Sequence, residues 1–163
     1  MKYRVQLPQS EPAPGPELVV TAEVGERRTR QEMLLSLLMI ALQRRDAAEA
    51  RSLIREGLST HLELLVEEEA RVYTTVWLIL AARSMVLLRR PIVAVTLWGA
   101  IEGILIEEHE GLEDTACLRR ELNRVRAERG PEAYETAVAA GKAMSLLQAA
   151  HRALHELDST PIA

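Results

Sequence analysis

The chain has 163 residues, a net charge of −4 and a sequence pI near 5.7. That is the length of one domain, long enough to bury a core without disulfides or a structural metal. Apolar residues make up 48% and charged residues 27%, which excludes wholesale disorder, and the mild acidity excludes the basic footprint of a nucleic-acid binder.

Aromatics are only 3% and Phe is absent, so Leu, Ala, Val, Ile and Met must form the core. A sheet protein draws on aromatic and β-branched residues, so this balance points to helices. Residues 1–24 stand apart. Pro8, Pro12, Pro14 and Pro16 forbid a helix across the middle of that stretch. The flanking runs KYRVQL and ELVVTAEV alternate like strands, so residues 1–24 read as an extended arm or a β-hairpin. No apolar h-region marks a secretory signal there.

From Thr29 onward the pattern is helical. Thr29-Arg30-Gln31-Glu32 has the form of a capping box, and Leu34, Leu37, Leu38 and Ala41 recur at helical spacing. Asp46-Ala47-Ala48-Glu49 caps a second helix, whose inner face is Ala50, Leu53, Ile54, Gly57 and Leu58. A third helix is expected from about Leu62 to Leu88, acidic at its start and apolar at its end. Its stretch Tyr73–Leu88 is interrupted by Arg83 and is shorter than the roughly 20 residues of a membrane span. Pro91 opens a fourth helix, which ends near Gly111. Three shorter helices follow: from Asp114 or Thr115 to Arg129, from Pro131 to about Gly141, and from Ser145, where Ser145 and Gln148 form another box-like cap. The expected layout is a 1–24 arm, two irregular helix pairs over 25–112, a helical cap over 113–158 and a 159–163 tail.

The first four helices read as two similar pairs. Leu37, Leu38 and Ala41, then Ala50, Ile54 and Gly57, are matched by Ala81, Ala82 and Met85, then Ala94, Trp98 and Ile101. Small residues recur where helices must cross closely, with large ones beside them. These offsets resemble the tetratricopeptide repeat, although the Ala50–Ala94 period exceeds its usual length of about 34 residues. The fold class expected is therefore all-α: a tetratricopeptide-like right-handed superhelix of about seven helices with an N-terminal arm or hairpin.

A more specific likeness lies in AVTLWGAIEGI and LRRELNRVRAERGPEAYETAVAAGKAMSLLQAAHRAL. Ala94, Leu97, Gly99, Ala100 and Glu102 form one block. Gly130, Ala133, Tyr134, Ala137, Gly141, Met144, Ser145, Leu146 and Ala149 form the other. Together they resemble the end of the sensor region in large LuxR-type, MalT-like bacterial ATPase regulators, closely over 92–154 and loosely over 30–157. The resemblance implies a helical sensor or interaction segment of a bacterial regulatory or signalling system. The P-loop of those regulators does not occur in this sequence, and the chain ends soon after the last helix, without their helix-turn-helix. No ATPase or DNA-binding activity carries over.

Candidate chemistry is sparse. His151 and His155 share a helix face, but no second ligand pair accompanies them, and a solvated helix end explains them. Glu107, Glu108, His109 and Glu110, like Glu67–Glu69, read as solvated charge. Cys117 is the only cysteine, which fits a reducing, cytoplasmic setting, and no His motif marks it as a nucleophile. Trp77 and Trp98 are expected to fill the core between repeats. Gly130 and Gly141 are expected to end helices, and Tyr134 to anchor a neighbour.

The reading is a non-catalytic helical-repeat module that binds a protein or peptide partner on its concave face, with Arg44, Tyr73 and Arg83 as candidate contacts. It expects no cofactor, metal, direct nucleic-acid contact or membrane contact. The alternatives are a self-associating protein, a homodimer through the arm or the apolar third helix, and a small enzyme.

Overall fold

The computed structural model describes residues 16–63, 70–104 and 113–159. Contacts divide the chain into two units, residues 1–30 and 31–163. Seven helices are described: α1 (Pro16–Arg44), α2 (Ala47–Glu63), α3 (Ala70–Leu87), α4 (Pro91–Glu102), α5 (Glu113–Arg129), α6 (Pro131–Lys142) and α7 (Leu146–Ser159). No strand occurs among the described residues.

The first unit corrects the expectation for the N-terminus. ELVVTAEV is helical, within α1, and is no strand. The strand-like alternation of its Val residues yields to a helix that Pro16 opens at the position where a missing N–H costs nothing. KYRVQL lies outside the described residues. Thr29 does not cap a helix either. It sits inside α1, and its Oγ1 donates to the carbonyl of Gly25 at 3.0 Å, as an interior helical threonine does.

Within the second unit, two hairpins are built alike. Between α1 and α2, Arg45 has φ 57°, its N–H donates to the Leu42 carbonyl at 3.2 Å, and the Asp46 N–H donates to the Ala41 carbonyl at 3.0 Å. Between α3 and α4, Arg89 has φ 63°, its N–H donates to Val86 at 3.2 Å, and the Arg90 N–H donates to Met85 at 2.8 Å. Both are Schellman motifs with arginine at the left-handed position that glycine usually fills. The residues correspond at the same 44-residue spacing that separates Ala50 from Ala94. Asp46 then caps α2, accepting the Glu49 N–H at 3.0 Å, whereas Pro91 opens α4 without a side-chain cap.

The helix boundaries differ from expectation in the middle of the chain. Leu62 and Glu63 end α2 rather than starting α3, and residues 64–69, with Glu67–Glu69, lie outside the described part. Helix α4 stops at Glu102, short of Gly111. Residues 105–112, with Glu107–Glu110, also lie outside it.

Helix α3 is the centre of the core. Trp77 through Ala82 and Met85 are buried, and α3 packs on α2, α4, α5 and α7. Its polar residues are absorbed locally: Ser84 donates to the Leu80 carbonyl at 2.8 Å, and Thr74 pairs with the buried His61 ring at 2.8 Å. The Trp77 ring lies against Gly57, where a Cβ would stand 2.0 Å from the ring. Gln31, also buried, donates from Nε2 to the Gly57 carbonyl at 3.3 Å, which ties the start of the second unit to α2.

Helices α4 and α6 make the closest crossing. A Cβ on Gly99 would stand 2.3 Å from the Val138 carbonyl oxygen, and one on Gly141 would stand 2.0 Å from the Thr96 carbonyl oxygen. Gly141 is therefore inside α6 as a crossing residue and does not end the helix. Gly130, at φ 86°, does separate α5 from α6. Helix α7 packs on α2, α3 and α4 through Ala149, Ala150, Ala153 and Leu157. Its start is capped in both directions, Gln148 N–H to Ser145 Oγ at 3.2 Å and Ser145 N–H to Gln148 Oε1 at 2.8 Å.

Candidate interaction surfaces

The glycine crossing shapes the first surface. With α4 and α6 in backbone contact, their outward sides leave a groove of about 840 Å³, lined mainly by Ile92 and Thr96 of α4 and by Ala133, Thr136, Ala137 and Ala140 of α6. The alanines make it shallow, and Ile92 is an exposed large apolar side chain within it. Arg129 and Glu132 add charge at the α5–α6 junction. The groove holds no pair of groups placed for acid–base or nucleophilic chemistry, and its character is that of a packing surface.

A partly buried polar cluster joins α3 to α5. The Arg83 side chain is 11% exposed; its Nη1 bonds Asp114 Oδ1, and its Nε stands 3.8 Å from Glu121 Oε2. That second distance is an ion-pair contact too long for a hydrogen bond. Arg83 Nε, Glu121 Oε2 and the buried Thr115 Oγ1 have no hydrogen-bond partner among the described residues. Burial pushes the Glu121 carboxyl above its usual range, and the charges of Arg83, Arg45, Arg124 and Arg120 pull it back only in part. The cluster holds two helices together at a desolvation cost.

Arginines also fasten the end of α7. Arg51 of α2 donates from Nε to the Leu157 carbonyl at 3.0 Å and bonds it again through Nη2. Arg55 meets Asp158 at 2.9 Å. Arg90, from the α3–α4 turn, meets Glu156 at 3.2 Å, and Arg152 meets the same carboxylate at 2.8 Å. Positive charge at a helix C-terminus opposes the negative end of the helix dipole, and a guanidinium satisfies a carbonyl the helix leaves open.

The three candidate contacts read from sequence fall in different settings. Arg44 is exposed at the end of α1, Tyr73 is half-buried near the start of α3, and Arg83 is engaged by Asp114. Tyr73 and Arg83 stand about 15 Å apart along the axis of α3, so they form no single constellation. Trp77 is buried against Gly57, and Trp98 is buried with the Arg119 guanidinium 5.5 Å from its ring centroid. Tyr134 is half-buried under Arg126, 5.5 Å from the ring, and burial raises its hydroxyl pKa. Cys117 is half-buried, with Arg120 Nη2 3.0 Å from its sulfur. His151 and His155 are exposed on α7.

Sequence reasoning missed one surface altogether. On α1, Met33, Leu37 and Ile40 are 60%, 44% and 41% exposed. They form one stripe, beside the buried Leu34, Leu38, Ala41 and Leu42. Leu37 was expected on the inner face. It points outward because α1 is apolar over more than half its circumference, and only one side of it meets the core. The signal was in the sequence: apolar residues at 33, 34, 37, 38, 40 and 41 exceed the arc that one buried face uses.

No helix among the described residues is long and apolar enough to cross a membrane. Comparison with protein-family models, with curated proteins and with solved structures finds no match for this chain.

Proposed function

We propose that the chain is a non-catalytic helical-repeat interaction module, a superhelical sensor or adaptor segment that takes a protein or peptide partner on its concave side. One observation carries the reading: the α1–α2 and α3–α4 hairpins share the same arginine Schellman turn at the same 44-residue spacing as their matched core positions. Duplicated helix pairs are the building unit of repeat proteins, whose usual work is binding. The exposed apolar groove between α4 and α6 adds a surface suited to an amphipathic segment. The sequence resemblance to MalT-like regulators supports a role in a bacterial transcription-regulatory or signalling system in the cytoplasm. In this reading Arg44 and Tyr73 contact the partner, and Arg83 acts by holding α5 against α3. No cofactor, metal, nucleic acid or membrane takes part.

The test is affinity capture from the native cell with the full chain, read by quantitative mass spectrometry. Arg44→Ala and Tyr73→Ala should each deplete the same partner while the melting temperature stays within a few degrees of wild type. Capture that is unchanged in both folded variants overturns the assigned face.

A further inference from the structure

Glu121 stands in the field of four guanidiniums. Arg83 of α3, Arg45 of the α1–α2 turn, and Arg124 and Arg120 of α5 all act on its charge. Arg83 is the inner one, bonded to Asp114 and facing Glu121. Two carboxylates thus stand against four cations, and both carboxylates lie at Arg83. The other three arginines are exposed. Among the described residues Arg45 and Arg124 have no hydrogen bond or ion pair, and Arg120 meets the Cys117 sulfur at 3.0 Å. Arg120 and Arg124 are four apart on α5 and so share one side of it, while Arg45 comes from the α1–α2 turn. Like charges gathered from two elements repel. An anionic ligand seated between them relieves that repulsion and takes charge-assisted hydrogen bonds from more than one guanidinium.

We propose that Arg45, Arg120 and Arg124 form a docking patch for an acidic peptide segment of a partner protein, whose carboxylates are gripped between the α1–α2 turn and α5. The proposal rests on the reading of the chain as an interaction module and gives that partner a chemistry. The size of the patch selects a peptide. Three exposed cations match a few acidic side chains, whereas a nucleic acid presents a continuous run of phosphates and is met by a longer basic surface. Glu121 opposes the docked acid, because its carboxylate stands among the same arginines.

Fluorescence anisotropy of a short labelled peptide of alternating glutamate and serine, titrated with the full chain at physiological salt, tests this. The peptide should bind, and its glutamine counterpart should not. Arg45→Glu and Arg124→Glu should each weaken binding by roughly fivefold or more, with unchanged far-UV circular dichroism, since both side chains are exposed. Arg89 holds the equivalent place in the α3–α4 turn but is not among the charges acting on Glu121, so Arg89→Glu should leave affinity within about twofold. Glu121→Gln should tighten binding. Glutamate and glutamine peptides that bind alike overturn the proposal. So does a loss in Arg89→Glu equal to that in Arg45→Glu, which would reflect overall charge alone. A single-stranded oligonucleotide of the same charge that binds more tightly through the same arginines also overturns it. A defined peptide tests this patch and cell capture tests the module, so the failure of one is distinct from the failure of the other.

Discussion

The α4–α6 crossing gives the most exacting test of the fold. Replacing Gly141 with Ala places a methyl 2.0 Å from the Thr96 carbonyl oxygen and 2.9 Å from the Ala100 nitrogen and the Gly99 Cα. All three obstacles are backbone atoms of α4, so no rotamer change relieves them. Relief requires the helices to part by roughly 1 Å or more, which overpacks one side and opens voids around Leu97 and Val138; such strain costs about 1–3 kcal/mol, with a further cavity term. Against it stands a gain of about 1 kcal/mol, because Ala favours a helix interior over Gly. Two effects therefore oppose, and the clash wins by about 2 kcal/mol, since the crossing is among backbones with no slack. For a chain of this size that is a fall in melting temperature of about 4–8 °C, read by circular dichroism at 222 nm. Gly99→Ala meets the Val138 carbonyl at 2.3 Å and should cost a similar amount. The two together should cost less than their sum, because helices already parted accept the second methyl more easily. Gly103→Ala is the control: it meets nothing within 4 Å at an ordinary φ of −77° and should be near neutral. A Gly141→Ala protein as stable as wild type would refute the close crossing.

Three further outcomes follow from particular contacts. Gly57→Ala should destabilise by about 2 kcal/mol through the Trp77 ring, and Trp77→Leu should recover part of that loss in the double variant, measured by urea unfolding. Arg89→Gly should raise stability by up to about 1 kcal/mol, because the exposed residue at φ 63° is strained with a side chain and unstrained without one; a loss above that size would refute the left-handed turn. Glu121 has a folded-state pKa above its unfolded value, so its ionisation weakens the fold as pH rises through that raised pKa, and below its usual carboxyl range it costs nothing. Glu121→Gln should therefore match wild type in acid and exceed it progressively at higher pH, as followed by melting temperature across a pH series; a gain confined to low pH would reverse the sign.

Much of the helical order could be read from local chemistry. Pro91, Gly130, Pro131 and the Ser145–Gln148 box act within a few residues, and the boundaries they mark are found where the sequence places them. What escaped was set by distant chain. Gly141 resembles a stop signal, yet it is kept inside α6 by the need to meet Gly99, a partner that no local pattern shows. Arg83 reads as a partner-binding cation on an apolar helix until α5 brings Asp114 and Glu121 to it. Leu37 reads as core because its spacing is right, and only the position of α1 at the edge of the packed helices turns it outward. The left-handed φ of Arg45 and Arg89 in the two Schellman turns has no sequence signal, since the usual glycine is missing.

The contacts of α7 bear on how the matched helix pairs are held together. A helix pair cannot bury its apolar face by itself, and about three repeats are needed before stacking yields a stable core. Two matched hairpins fall short. Here α5 and α6 supply a third pair, with α6 locked to α4 by glycine, and α7 then covers α2, α3 and α4 together. A contact from α7 back to α2 lies outside nearest-neighbour stacking; Arg51 and Arg55 of α2 reinforce it at the helix C-terminus, and Arg90 adds a tie from the α3–α4 turn. Small alanines at 149, 150 and 153 let α7 sit close, while the arginines fix its register.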